Sequence, residues 1–307
     1  MTIAISIKIN DGLVLAADSA STLLGINPAA AGQVGVFNVY NNADKVFNLR
    51  KGLPIGAITW GAGSIGQAST STILKDLRKI FTEGDEQRYP GWKLTKDKPY
   101  TIEDVAKRLK QFVYDEQYLP AFREALQKPD LGFIVAGYAA GAAMADEYRI
   151  DINKAGECSG PRPLRTREQI GMTWGGNAEP LNRLILGVSG AMPQVLHNLF
   201  RVSPEQMPTV LQAVQQNLQL PIVVPAMPLQ DAIEVAEYLV DLTIKFARFM
   251  PGAPTVGGPI DIAAISKHEG FRWIKRKYFF DRALNPEELF GREYEPGKEG
   301  RTKADNA

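Results

Sequence analysis

The first 18 residues contain the pattern that most constrains the fold of this chain. Residues 3–9, IAISIKI, place isoleucine at every odd position and Ala, Ser and Lys between them. This period of two is typical of a β-strand with two different faces. Residues 10–12, NDG, are a tight-turn signal, and residues 13–18, LVLAAD, predict a second strand. The chain is therefore expected to open with an antiparallel hairpin.

Strands and helices occupy separate blocks in the rest of the sequence. Further apolar runs of strand length occur at 45–49, 55–60, 131–139, 147–153 and 170–174. Helical periodicity is found at about 64–82, at about 102–127 and over most of 179–250. A closing hairpin is predicted from 260–266 and 271–275. Antiparallel strands with helices in blocks are typical of an α+β fold, not of alternating βαβ units.

No linker-like segment divides the chain, so a single domain is predicted over residues 1–283. Residues 23–43 are rich in Gly, Ala and Asn and are expected to form a long loop. Residues 284–307 are charged and contain Gly and Pro, which is typical of a surface tail.

The composition is that of a globular protein without a strong charge bias. Its 307 residues are 45% apolar and 22% charged, enough to bury a sizeable core. Lys+Arg 35 against Asp+Glu 34 leaves a net charge of +1, so neither nucleic acid nor an anionic membrane is an expected partner. The sequence shows no run of about 18–20 apolar residues and no secretory signal, so a cytoplasmic location is expected. The single cysteine, Cys158, excludes an internal disulfide and a multi-cysteine metal site.

The stretch TWGAGSIG at 59–66 has the G-x-G-x-x-G spacing of a dinucleotide-binding turn. That interpretation needs a second parallel strand soon after the helix, but the polar stretch TEGDEQRYPGW follows and no apolar strand occurs before residue 131. The glycines also approximate a nucleophile elbow around Ser64, which needs a histidine. The chain has only His197, in a helical stretch, and His268, in a turn. A third interpretation is a glycine-rich turn that lets a helix pack closely on a sheet.

Four segments, in the correct order, resemble the proteasome β-subunits. MTIAISIKINDGLVLAADSAST resembles the start of the mature subunit, and ADKVFNL resembles the segment that carries the family's active-site lysine. IGAITWGAGSIGQAS resembles the strand and glycine turn that follow, and VGGPIDIAAISKHEGF resembles a late hairpin of the family. The resemblance covers residues 2–83 and 257–272 well and the middle only in element order. It points to a divergent member nearer the bacterial Anbu-type branch.

These subunits are N-terminal nucleophile hydrolases, so the resemblance implies a four-layer αββα sandwich, assembly into rings and cleavage of amide bonds. It implies that Thr2, exposed by removal of Met1, is the nucleophile. Lys45 and Asp18 match the residues that tune the Thr2 amine, and the Gly61 N–H matches the oxyanion donor. The chemistry is suitable, because an α-amino group with a pKa of about 7.7–8.0 accepts a proton near neutral pH, and a nearby lysine lowers that pKa.

The resemblance also implies where a substrate binds. Ser21 and Thr22 match the edge that pairs with an extended peptide, while Thr59 and Gly63 match cleft positions. Their small size favours a modest substrate side chain. A peptide or polypeptide is the expected substrate, further copies of the chain are the expected partners in a ring, and any unfoldase partner is unknown. No metal or organic cofactor is implied.

The chain departs from the family pattern near the expected site. The family has Ser, Asp and Ser at the positions of Gly176, Ala253 and Val256. Asn177 and Thr255 are the candidate replacements for the missing polar groups. The loops at about 23–43 and 153–168 and the tail are also longer than is usual in the family. Two alternatives therefore stay open: a non-catalytic subunit that keeps the assembly interface, and an amidase of the same class that acts on a small molecule.

Overall fold

The computed structural model describes residues 2–26 and 34–280. Its strands are β1 (Ile3–Ile9), β2 (Gly12–Ala17), β3 (Ser21–Ile26), β4 (Val34–Tyr40), β5 (Val46–Asn48), β6 (Ile55–Gly61), β7 (Ser64–Ile65), β8 (Ala68–Ser69), β9 (Leu131–Gly137), β10 (Asp146–Ile152), β11 (Cys158–Pro163), β12 (Gly171–Gly176), β13 (Asp261–Ser266) and β14 (Gly270–Lys275). Its helices are α1 (Thr70–Glu83), α2 (Ile102–Lys110), α3 (Leu119–Ala121), α4 (Glu179–Ile185), α5 (Met192–Phe200), α6 (Met207–Leu218) and α7 (Leu229–Phe249). A π-helical segment, Gln111–Tyr118, joins α2 to α3.

Two five-stranded antiparallel sheets give the chain its α+β fold. Sheet 1 has the order β12-β1-β2-β13-β14, and sheet 2 has the order β11-β10-β9-β6-β5. The predicted opening hairpin is confirmed as β1 and β2, paired from Ala4 opposite Ala17 to Ile9 opposite Gly12. The predicted closing hairpin is also confirmed, because β13 pairs with β14 and lies next to β2. Early and late parts of the sequence therefore meet in sheet 1.

The alternation of residue types in β1 determines what each face of the strand packs against. Its isoleucines, at the odd positions, are buried in a cluster with α4 and α7. Its even positions face sheet 2, since Ala4 lies in a second cluster with Ile58 and Ile134. A third cluster, which includes Phe81 and Phe133, packs sheet 2 against α1, α2 and the π-helical segment. Each fully buried isoleucine contributes about 1.5–3 kcal/mol, so a register slip that exposed this face of β1 would unfold the chain.

Two of the predicted loops contain strands, and the prediction is wrong at those residues. β3 and β4 occupy much of 23–43 and form a separate two-stranded sheet, while residues 27–33 lie outside the described residues. Phe37 and Tyr40 of β4 are exposed, so burial imposes no alternating pattern there. β11 occupies part of 153–168 and is an edge strand of sheet 2, the position in a sheet that tolerates its two prolines.

The starts of α1 and α2 follow local capping. The first helix begins at Thr70 and not at 64, because Ser69 caps it and accepts a hydrogen bond from the Thr72 N–H at 3.1 Å. The preceding residues form the small sheet of β7 and β8. The second helix begins after Thr101, whose hydroxyl accepts from the Asp104 N–H at 3.0 Å.

The described residues up to Arg276 belong to one compact unit. Within residues 2–26 and 34–280, no helix is long and apolar enough to cross a membrane. The predicted domain end at 283 and the predicted tail at 284–307 lie outside the described residues.

Candidate active site

Thr2 lies directly before β1, is only 3% exposed and lines a cleft of about 290 Å³. Its carbonyl oxygen accepts a hydrogen bond from the Asn177 N–H at 2.6 Å. Gly176, which pairs with Ile3, has a φ of +92°, and a Cβ there would lie 1.9 Å from the Thr2 carbonyl oxygen. Position 176 must therefore be glycine to hold Thr2 in this place.

Asp18 follows β2 and is fully buried, and each of its two carboxylate oxygens accepts two hydrogen bonds. Oδ1 accepts from the Ile3 N–H at 3.0 Å and from Lys45 Nζ at 2.7 Å. Oδ2 accepts from the Ala20 N–H at 3.1 Å and from the Gly257 N–H at 3.0 Å. Burying a carboxylate is costly unless it is paired and hydrogen-bonded, and these donors meet both conditions.

Lys45 directly precedes β5 and lines the same cleft as Thr2. Its side chain is 7% exposed, and its ammonium group forms the ion pair with Asp18. Asp18 Oδ1 also accepts from the Ile3 N–H, so Lys45 Nζ lies close to the peptide that joins Thr2 to Ile3. The arrangement can hold a positive charge beside the Thr2 amine, where it disfavours protonation of that amine.

Gly61 ends β6 and lines the cleft. Its φ is +94°, and a Cβ there would lie 2.3 Å from the Asp130 carbonyl oxygen, so only glycine fits. On one side of β6 the Thr59 N–H donates to the Lys45 carbonyl at 3.0 Å, and on the other the Ala62 N–H donates to the Asp130 carbonyl at 2.9 Å. Because N–H groups alternate along a strand, the Gly61 N–H faces the β5 side of β6, beyond the start of β5.

The four predicted substrate-binding residues all line this cleft: Ser21, Thr22, Thr59 and Gly63. The Thr59 hydroxyl donates to the Gly132 carbonyl at 3.0 Å, so it is engaged with β9. Ser21 begins β3, and its Oγ lies 2.7 Å from where a Cβ on Gly63 would be. A side chain at position 63 would therefore displace Ser21.

The sequence did not predict several other residues that line the cleft: Asn42, Ala43, Asp44, Ser69, Thr70 and Ser71. The Thr70 side chain donates to the Ala62 carbonyl at 2.9 Å, and its N–H donates to the Gly63 carbonyl at 3.0 Å. Asp44 forms an ion pair with Lys75 of α1 at 2.7 Å. A helix cap directly after a glycine turn is the sequence signal that places Thr70 at the cleft.

The three departures from the family pattern put no polar side chain into the cleft. Ala253 is exposed, and Val256 is buried in the cluster that contains the β1 isoleucines. Thr255 is buried, at 6% exposed, and Asn177 contacts Thr2 through its backbone N–H. None of these residues lines the cleft that contains Thr2.

Other chemistry-bearing residues lie outside the cleft. Ser64 is in β7, while His197 is an exposed residue of α5 whose Nδ1 lies 3.1 Å from the Val202 carbonyl oxygen, so the nucleophile-elbow interpretation is not supported. β6 has antiparallel neighbours on both sides, which excludes a parallel dinucleotide-binding turn. Burial raises the pKa of the Cys158 thiol to about 11, which keeps it protonated. Across the part of the chain that the structure describes, no group of three or more His, Cys, Asp or Glu is placed to bind a metal ion.

No protein-family model and no curated protein matches the chain. Among solved structures, it is similar to Anbu (ancestral beta-subunit) from Yersinia bercovieri, with a TM-score of 0.47, 13% identity, and coverage of 90% of this chain and 88% of that one. It is also similar to the Anbu complex from Pseudomonas aeruginosa, which forms a helical assembly, with a TM-score of 0.46, 15% identity, and coverage of 92% and 89%. Both structural neighbours are Anbu proteins.

Proposed function

We propose that the chain is a threonine-type N-terminal nucleophile hydrolase that cleaves peptide amide bonds after Met1 is removed. The clusters between the two sheets and on their outer faces support the four-layer αββα sandwich of that class. One observation carries the proposal: Thr2 and Lys45 share a cleft, and Asp18 ties Lys45 to the Thr2–Ile3 peptide.

In the proposed reaction, Thr2 Oγ1 attacks the carbonyl carbon of the scissile amide. The Thr2 amine takes the hydroxyl proton and then gives it to the leaving nitrogen as the C–N bond breaks. The Gly61 N–H donates to the oxyanion while the tetrahedral intermediate lasts. A water molecule then attacks the ester on Thr2, releases the acid and restores the hydroxyl.

Lys45 and Asp18 prepare the Thr2 amine for this role. The Lys45 ammonium disfavours a second positive charge nearby, so it promotes the neutral amine that accepts a proton. Asp18 holds the ammonium in one position through the 2.7 Å ion pair. Both groups act before the substrate binds, so they preorganise the base at no cost during the reaction.

Intact-mass measurement and a nucleophile variant test the proposal together. The purified chain is expected to lack Met1 and to hydrolyse a fluorogenic tripeptide amide. Thr2→Ala is expected to reduce that hydrolysis by at least about a thousandfold, while Thr2→Ser keeps a measurable rate. Thr22→Ala, a threonine in the same cleft without a free amine, is the matched control and should affect KM more than kcat. An active chain that retains Met1, or full activity in Thr2→Ala, would exclude the proposal.

A second candidate function is that of a non-catalytic subunit that only assembles. It is favoured by the absence, among the described residues, of polar side chains at positions 176, 253 and 256. In that case no peptide amide is hydrolysed, whatever the state of Met1. The cleft volume of about 290 Å³ also suits a small-molecule amide, which a panel of acylated amines would reveal in the same assay.

We further propose that copies of the chain associate with one another. Large apolar side chains are exposed on α5 and α6: Val195, Leu199, Phe200 and Leu218. Contiguous exposed apolar surface is typical of protein–protein contacts. Sedimentation velocity is expected to show a species larger than the monomer, and negative-stain electron microscopy would show whether it is a closed ring.

A further inference from the structure

Tyr118, the last residue of the π-helical segment, lies next to the backbone that holds Gly61. Its side chain is fully buried, and its hydroxyl donates to the Pro129 carbonyl at 2.7 Å. Burial raises the pKa of Tyr118, so the hydroxyl stays protonated and remains a donor. The residue after Pro129 is Asp130, whose carbonyl is in contact with the glycine turn.

The Asp130 carbonyl fixes the end of β6 in two ways. It accepts the Ala62 N–H at 2.9 Å, and it occupies the space that a Cβ on Gly61 would fill, 2.3 Å away. Leu131, the next residue, pairs with Gly61 in the β6–β9 register. The direction of the Gly61 N–H therefore depends on where residues 129–131 lie.

We propose that Tyr118 is a positioning residue for the oxyanion donor, acting through Pro129 and Asp130 on Gly61. The inference rests on the function proposed above, because it concerns the same N–H group. Tyr118 does not line the cleft and takes no part in proton transfer. Its hydroxyl anchors the start of β9, and β9 in turn sets the backbone that ends β6.

The π-helix brings this anchor into place. Side chains five residues apart are paired along it, with Lys110 Nζ 2.9 Å from Asp115 Oδ1 and Gln111 Nε2 3.2 Å from Glu116 Oε1. Such spacing matches the wider turn of a π-helix, and π-helical turns occur frequently at functional sites. Loss of the wide turn would rotate Tyr118 relative to Pro129.

Tyr114 provides an internal control for Tyr118. The two rings stack with centroids 5.7 Å apart, and both belong to the π-helical segment. The Tyr114 hydroxyl donates to the Gly156 carbonyl at 2.8 Å, in the turn before β11. Tyr114→Phe and Tyr118→Phe thus each remove one hydroxyl and one hydrogen bond to a carbonyl. Only the acceptor of Tyr118, the Pro129 carbonyl, precedes the residue that contacts the glycine turn.

The experiment compares the two variants in the full-length chain. Tyr118→Phe is expected to lower kcat about tenfold and to keep KM within about twofold, because an oxyanion donor acts only in the transition state. It is also expected to increase deuterium uptake in residues 59–66, measured by hydrogen exchange and mass spectrometry. Tyr114→Phe is expected to change neither quantity. Thermal melts of both variants show that each is folded at the assay temperature.

Equal kcat and equal uptake at 59–66 in the two variants would overturn the proposal. So would a Tyr118→Phe variant that raises KM with kcat unchanged, since that result indicates altered ground-state binding. If the wild-type chain shows no Thr2-dependent hydrolysis, the proposed function fails by itself. The uptake comparison then still decides whether Tyr118 positions the Gly61 turn.

Discussion

Strand β1 has a buried lysine network near each of its ends, and the two networks differ in what the lysine meets. Near Thr2, the Lys45 ammonium pairs with Asp18 and lines a cleft. At the other end, Lys8 is 1% exposed and donates to the Arg167 carbonyl at 2.7 Å. Both lysines have partners, but only Lys45 lines the cleft that contains Thr2.

The residues around Lys8 include buried charged groups, but they do not line the cleft that contains Thr2. Glu147, 2% exposed, accepts the Ser6 hydroxyl at 2.6 Å and pairs with Arg165. Burial is the main cause that lowers the pKa of Lys8, and the charge of Glu147 opposes it. The candidate site is therefore chosen by the position of a lysine relative to Thr2 and the cleft, and not by a perturbed pKa, since structural ion pairs also shift pKa values.

The largest expected contrast comes from replacing each lysine by methionine. Lys45→Met is expected to reduce kcat/KM by about 10²–10⁴, because the Thr2 amine loses the charge that promotes its neutral form. Lys8→Met is expected to keep hydrolysis within about twofold. Fluorogenic peptide kinetics measure both. Equal losses of activity in the two variants would show that the ends of β1 are coupled and would break the comparison.

The next contrast uses the glycines at the ends of β12. Gly176→Ala puts a Cβ 1.9 Å from the Thr2 carbonyl oxygen at a φ of +92°, and the expected loss of unfolding free energy exceeds about 3 kcal/mol. Gly171 pairs with Lys8 and also has a positive φ, +149°, but the nearest atom to its Cβ, on Arg165, is 3.7 Å away. Gly171→Ala is expected to cost only about 1–2 kcal/mol in urea unfolding. A similar cost at both positions would mean that the Thr2 carbonyl can move.

A smaller effect is expected for the Ser6 hydroxyl. Ser6→Ala removes the 2.6 Å hydrogen bond to Glu147 inside the protein, and the expected loss of stability is about 1–3 kcal/mol. Activity should stay at the wild-type level, because Ser6 does not line the cleft that contains Thr2. Urea unfolding and peptide hydrolysis, measured on the same preparation, check both parts. A fall in kcat without a fall in stability would contradict the division between the two ends.

The smallest expected effect is a pH dependence of stability at Lys8. Its pKa is lowered in the folded chain from 10.5, so the unfolded chain binds more protons in the window below 10.5. The contribution of Lys8 to the free energy of unfolding therefore increases as pH rises through that window. The free energy of unfolding of the wild type, minus that of Lys8→Met, should therefore increase as pH rises toward 10.5. A difference that is constant with pH would show that Lys8 titrates normally.

Some of this architecture could be predicted from the sequence because it depends on patterns among neighbouring residues. The alternation of residues 3–9 and the turn signal at 10–12 predict the opening hairpin. The alternation reflects packing in the structure, because the odd positions of β1 contact α7 and the even positions face sheet 2. The resemblance named Thr2, Lys45 and Gly61, and the structure puts all three on one cleft, while their catalytic roles stay predictions. Thr101 caps the start of α2 through its side chain, an interaction that spans only three residues and is therefore local in the sequence.

The rest depends on contacts between distant parts of the chain. The need for glycine at position 176 comes from the Thr2 carbonyl, which no local pattern reveals. β3 and β4 were missed because Phe37 and similar side chains are exposed, so burial leaves no period. The π-helical segment shares its residue types with an ordinary helix, and pairings five residues apart, such as Lys110 with Asp115 and Gln111 with Glu116, distinguish it.

The four donors to Asp18 also set an order of events in the life of the chain. Three come from its first 45 residues, but the fourth, the Gly257 N–H, is synthesised near the end. The Ser19 N–H donates to the Gly257 carbonyl at 2.9 Å, so the same late segment closes over the residue next to Asp18. A nascent chain therefore cannot complete the set of donors to Asp18, and with it the support for Lys45, until residue 257 has been synthesised.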